Sequence, residues 1–108
     1  MAREKTLEEM RTEFLDALAL LVDYWSEVDA STRYKLDGLA FSFLNILDGT
    51  SFSAPGYHIV PLSDENGIAY SKEMDENWYP LPDLKNDIAK DMLHEAWSLR
   101  KKENKNAV

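Results

Sequence analysis

The chain predicts an α+β fold, mostly helical: three helices, with a short β-hairpin-bearing segment between the second and third. Three observations carry that expectation. Apolar residues recur at steps of three and four over residues 6–28 and again beyond Pro82. Between these stretches lies LDGLAFSFLNILDG, Leu36 to Gly49, the most apolar run in the chain and the one the rest is organised around. Residues 50–82 hold all four prolines (Pro55, Pro61, Pro80, Pro82) and five aromatics (Phe52, Tyr57, Tyr70, Trp78, Tyr79), a composition unlike that of the helical parts.

The first helix is expected over about 6–28. Thr6-Leu-Glu-Glu9 fits a capping box, in which Thr6 and Glu9 satisfy each other's free amides. Leu7, Met10, Phe14, Ala17, Leu18, Leu21, Trp25 and Val28 then form one stripe. Glu9, Glu13, Asp16, Asp23 and Glu27 line the outer face. Such a face reads first as a solvated surface and second as an acidic docking surface. The connection at 30–33 is short, so the second helix returns antiparallel as a helical hairpin.

That second helix is expected over about 32–48. An apolar run does not by itself separate a buried strand from a buried helix, but length and punctuation do. Asp29 and Ser31 are N-cap residues, and Asp48-Gly49 is a stop in which glycine takes the left-handed conformation. Between Leu39 and Leu47 only Ser42 and Asn45 are polar, which predicts a core helix covered on nearly every side. Gly38 costs the helix roughly 1 kcal/mol against alanine and reads either as a close backbone approach or as a plain imperfection. Asp37 and Asp48 belong to a repeated Leu-Asp-Gly. One is expected to help the helix start and the other to cap its end.

Tyr57-His-Ile-Val60 has strand chemistry, ended or confined to an edge by Pro61. Asp64-Glu-Asn-Gly67 reads as a turn, with Ile68-Ala-Tyr70 returning as a second strand. Residues 71–77 then form a turn or a single helical turn. The aromatic rings are expected to plug this segment onto the helices. A third helix is expected over about 83–102, with Leu84, Ile88, Ala89, Met92, Leu93, Ala96 and Leu99 on one broad face and a frayed tail at 103–108. The 108 residues make one domain.

Composition narrows the function. The chain has no cysteine, which removes disulfides, thiolate metal sites and a cysteine nucleophile. Its apolar runs are shorter than the ~20 residues of a membrane span. The polar N-terminus lacks a secretory signal pattern, so a cytoplasmic location is the default expectation. The net charge is −8, with −5 in residues 1–29 and −4 in residues 51–80. Only Arg100, Lys101, Lys102 and Lys105 cluster positive charge, so neither nucleic acid nor an anionic membrane is an expected partner.

No constellation stands out as catalytic. On a continuous last helix Asp87, Asp91, His94 and Ser98 would share a face, a weak metal candidate. Neither an HExxH zinc motif nor a paired Glu-x-x-His motif is present. His58 and His94 read first as satisfied polar residues and second as general acid–base groups. Ser51, Ser53 and Ser63 lack a nucleophile elbow, and the four glycines form no phosphate-binding loop. Asp37 and Asp48 lie roughly 16 Å apart along a helix, too far for a carboxylate pair.

The pieces LDGLAFSFLNILDG (36–49), PGYHIVP (55–61) and IAKDMLHEAW (88–97) resemble a group of small uncharacterised bacterial proteins. The resemblance covers about half of the chain and implies a self-standing bacterial domain; it brings no activity, cofactor or site residue.

The expected function is that of a small acidic protein-interaction module, accessory, regulatory or immunity-like, and non-catalytic. Tyr70, Trp78, Tyr79, Glu65, Glu73, Asp75 and Glu76 are its candidate surface. The partner is another protein, of basic character, with no cofactor. A homodimer burying part of the second helix is a further reading. The alternative is a small-ligand- or metal-dependent enzyme using His58, His94 and nearby carboxylates.

Overall fold

The computed structural model describes residues 2–51 and 55–106. Among them the chain is all-helical: α1 (Leu7–Glu27), α2 (Thr32–Asp48), α3 (Glu65–Glu73), a single 3₁₀ turn (Leu84–Asn86) and α4 (Leu93–Asn106). The first two helices match the sequence expectation closely. The α+β class, the hairpin and the single long third helix do not stand.

Helix α1 starts at the capping box: Thr6 Oγ1 accepts from the Glu9 amide at 3.1 Å, and Glu9 Oε1 accepts from the Thr6 amide at 3.0 Å. Ser31 Oγ accepts from the Tyr34 amide at 3.2 Å to start α2. Gly49, at φ 77°, ends it in the left-handed conformation. The contacts between the two run antiparallel. Phe14 meets Phe43 edge-on at 5.9 Å, while further along α1 the Trp25 indole lies over Gly38 and donates to Ser42 Oγ at 3.1 Å. The indole fills the space that a Cβ at Gly38 would take, so the close-approach reading of this glycine is the correct one.

The segment expected to form a hairpin is held differently. Residues 57–60 take no regular secondary structure and pair with no strand. Tyr57 donates its amide to the Leu47 carbonyl at 2.8 Å, and Ile59 donates to the Asp87 carboxylate at 2.8 Å. Ile88 in turn donates to the Ile59 carbonyl at 2.8 Å. A side chain thus occupies one position of what would be a ladder, and the ladder cannot propagate. Asp64 does not open a turn: its carboxylate accepts from the Gly67 amide at 2.6 Å as the N-cap of α3. Ile68, Ala69 and Tyr70 lie inside that helix. Aspartate serves turn and helix start alike, and here the helix prevails.

The last periodic stretch is broken for a comparable reason. Asp83 caps only the 3₁₀ turn, accepting from the Lys85 amide at 2.9 Å. Asp87 turns its carboxylate onto the amides of Ile59 and Ala89, and its backbone is extended (φ −70°, ψ 113°). Met92 takes a positive φ of 64°, and regular helix resumes only at Leu93. It then continues through Asn106, past the expected fraying point at residue 102.

Helix α2 is the shared support, packed by α1 on one side and α4 on the other. Its expected enclosure fails. Among the described residues only Ile46, 2% exposed, and Ala89 are buried, while Leu36 and Phe41 of α2 lie open. The cause is the segment meant to cover them: α3 packs on no other described helix and stands off the body as an arm. The radius of gyration is 17.8 Å, against about 13 Å for a compact chain of this length. The molecule is a slab of 57 × 51 × 20 Å.

Candidate functional site

Two histidine–carboxylate pairs fasten the body. Asp48 is the last residue of α2, and its side chain is wholly buried. It accepts from the amides of Leu93 (2.9 Å) and His94 (2.8 Å) and lies 2.6 Å from His94 Nδ1. Asp48 therefore caps α4 from another helix instead of ending its own. Burial pushes its carboxyl up, and the His94 amide, the His94 ring and the Leu93 amide outweigh that, holding it below the usual carboxylate range. The His94 ring stands edge-on to Phe41 at 5.5 Å.

Asp87 is the second anchor, with its side chain 8% exposed. It lies 2.7 Å from His58 Nδ1 and accepts from the amides of Ile59 and Ala89. The His58 ring, then the Ile59 and Ala89 amides, lower its carboxyl from 3.8 to about 2. Together with the Ile88–Ile59 backbone bond this forms a clasp, and residues 60–86 are the arm that it closes. Donation from Nδ1 to the carboxylate leaves Nε2 of each histidine as the free ring nitrogen. An open cleft of about 370 Å³ lies between the two anchors, lined by Asp48, Tyr57, His58, Asp87, Lys90 and Met92.

The weak metal set does not assemble as drawn. Asp87 faces His58, His94 faces Asp48, and Asp91 lies in the turn before α4, so the three share no helical face. The described residues contain no group of three His, Asp or Glu side chains placed to hold a metal. Asp37 faces Arg33 Nε at 3.5 Å one turn back along α2.

The arm carries the aromatic candidates. Tyr70, Trp78 and Tyr79 are exposed, as are Glu65, Glu73, Asp75 and Glu76. Lys72 Nζ sits 4.8 Å over the Trp78 ring, tying α3 to the segment that follows it. Ile68, Trp78, Tyr79 and Pro82 line an open cleft of about 400 Å³ within the arm itself. Plugging onto the helices, the expectation for these rings, occurs among the described residues at Tyr57, which meets Phe14 edge-on at 5.2 Å. Phe52 and Ser53 lie outside the described residues.

A third feature had no counterpart in the sequence reading. Leu44 of α2 and Leu93, Ala96, Trp97, Leu99 and Arg100 of α4 line an apolar groove of about 500 Å³. Trp97 Nε1, buried beside it, has no hydrogen-bond acceptor. The groove exists because α4 crosses α2 from the Asp48 anchor, a contact between residues 45 positions apart.

Fold and geometry define an all-α class of chain: a three-helix body, α1, α2 and α4, with a clasped helical arm. No described helix is long and apolar enough to cross a membrane. No protein-family model, curated protein or solved structure matches the chain.

Proposed function

We propose that the chain is a non-catalytic protein-interaction module of accessory, regulatory or immunity-like character, whose apolar surfaces are completed by a protein partner. The observation that carries this reading is the exposed apolar surface. Leu15, Leu20, Val22 and Tyr24 of α1, Trp78 and Tyr79 of the arm and Leu99 of α4 are all exposed in a chain with two buried residues among those described. Single exposed leucines are ordinary, but extended apolar patches mark interaction surfaces. The acidic residues beside the arm aromatics add steering for a basic surface.

Amide hydrogen exchange tests the reading. In the dilute chain, protection is expected around the α2 anchors, with α3 and the second half of α1 gaining protection once a partner is bound. Full protection of α1 and α3 in a dilute monomer overturns it.

A second reading rests on His58, Asp87 and Asp48 lining one cleft, with His94 paired to Asp48 behind it: a small-ligand- or metal-dependent enzyme using His58 or His94. Against it, both carboxylates already hold backbone amides, which is a fastening role. Elemental analysis of the purified chain together with zinc titration by calorimetry tests the metal form. Stoichiometric uptake lost in a His58→Ala variant favours it, and absence of uptake removes it.

A further inference from the structure

We infer that the partner is a second copy of this chain, with the arm of each copy seated on the α2–α4 groove of the other. The inference rests on the interaction reading above and names its partner. Surface area is the first argument. The chain exposes 9073 Å², whereas a folded monomer of 12.4 kDa exposes about 6,100 Å². The excess, on the order of 3,000 Å², is several times the roughly 800 Å² a side of a standard interface. An excess of that order matches the surface that obligate dimers bury.

Architecture is the second argument. Domains close their apolar faces by packing two layers, and α3 packs on no other described helix. A basic peptide bound to the arm would leave the α2–α4 groove, with Leu99 of α4, open. A copy related by a twofold axis uses arm and body together, because each patch meets the other twice.

Charge supplies the register. Residues 64–76 hold Asp64, Glu65, Glu73, Asp75 and Glu76 against Lys72 alone. Arg100 lines the groove and opens the basic stretch that continues with Lys101, Lys102 and Lys105. Trp78 and Tyr79 supply aromatic anchors for an apolar slot with a charged rim, the arrangement in which interface energy concentrates.

Sedimentation equilibrium of the full chain and two charge-reversed variants tests this. The wild type is expected to sediment at twice 12.4 kDa. An arm variant, Glu73→Lys with Glu76→Lys, and a groove variant, Arg100→Glu with Lys101→Glu, should each self-associate about tenfold more weakly. Their mixture should recover the wild-type affinity, because both arm–groove contacts are again complementary. Glu73, Glu76 and Arg100 are exposed, and circular dichroism checks that both variants remain helical.

An arm variant that dimerises as tightly as the wild type, or a mixture no tighter than either variant alone, overturns the arm–groove arrangement. A monomeric wild type that binds an apolar dye and shows little exchange protection overturns the second copy while leaving the need for some partner. A monomeric wild type with full protection and a scattering radius near about 13 Å overturns both.

Discussion

Asp48 stands at the C-terminal end of α2, where the helix dipole disfavours a negative charge. Its stabilisation comes from elsewhere, through the first two amides of α4 and the ring of His94. Replacing it with alanine should leave buried donors unsatisfied and remove the α4 cap, a loss of about 2 kcal/mol measured by urea unfolding. An acid at the wrong end of a helix was the signal in the sequence for this role, and it was readable there only as local capping. Gly38 was readable as one of two possibilities, since nothing in the chain says which ring meets it. Gly38→Ala should gain helix propensity yet destabilise by about 1–3 kcal/mol through overpacking against Trp25, an outcome that thermal unfolding reads directly.

Asp87 sets an acid limit. Its ordinary value is 3.8 and its folded value about 2, so its stabilisation is complete above 3.8 and is lost as pH falls through about 2. Asp48 shifts in the same direction and adds to the same loss. Urea midpoints taken between about pH 5 and about pH 2 should fall steeply at the acid end, and Asp87→Asn should flatten that fall. A slope unchanged by the substitution would show that the clasp does not depend on the carboxylate's charge.

Helices α1 and α2 were legible to within a residue or so because their information is local: a cap, a period and a stop within one stretch. The 83–92 region was not. Its apolar spacing is helical, but Asp87 competes successfully for the amides of Ile59 and Ala89, a bond 28 residues away in one case. The hairpin failed on the same contest, since a carboxylate took the place of a pairing strand. Asp87→Ala should therefore do more than weaken the molecule. It should release the arm at its base, seen as raised amide exchange across residues 58–61 and 84–89 while α1 and the first part of α2 stay unchanged.

At the scale of the molecule, the greasy α2 was expected to be an enclosed pillar. It is the common support of α1 and α4, but its flanks stay open because the aromatic segment stands away as an arm. A chain completed by association is stabilised by mass action, so its melting temperature should rise with protein concentration. A melting temperature independent of concentration over a hundredfold range would contradict that. On the proposed arm–groove contact, added salt should also weaken association, because that contact would join the acidic arm to the basic end of α4 through screened charges.

By itself the sequence determined α1, α2 and their caps, the acidic balance and the lack of cysteine chemistry, all of which depend on neighbouring residues or on totals. Only the tertiary structure decided the rest: which carboxylate holds which distant amide, where the last helix resumes and that the arm's aromatics Tyr70, Trp78 and Tyr79 face outward. Those outcomes are settled by competition for buried hydrogen bonds and apolar surface between residues far apart in the chain, and neither spacing nor composition records who wins.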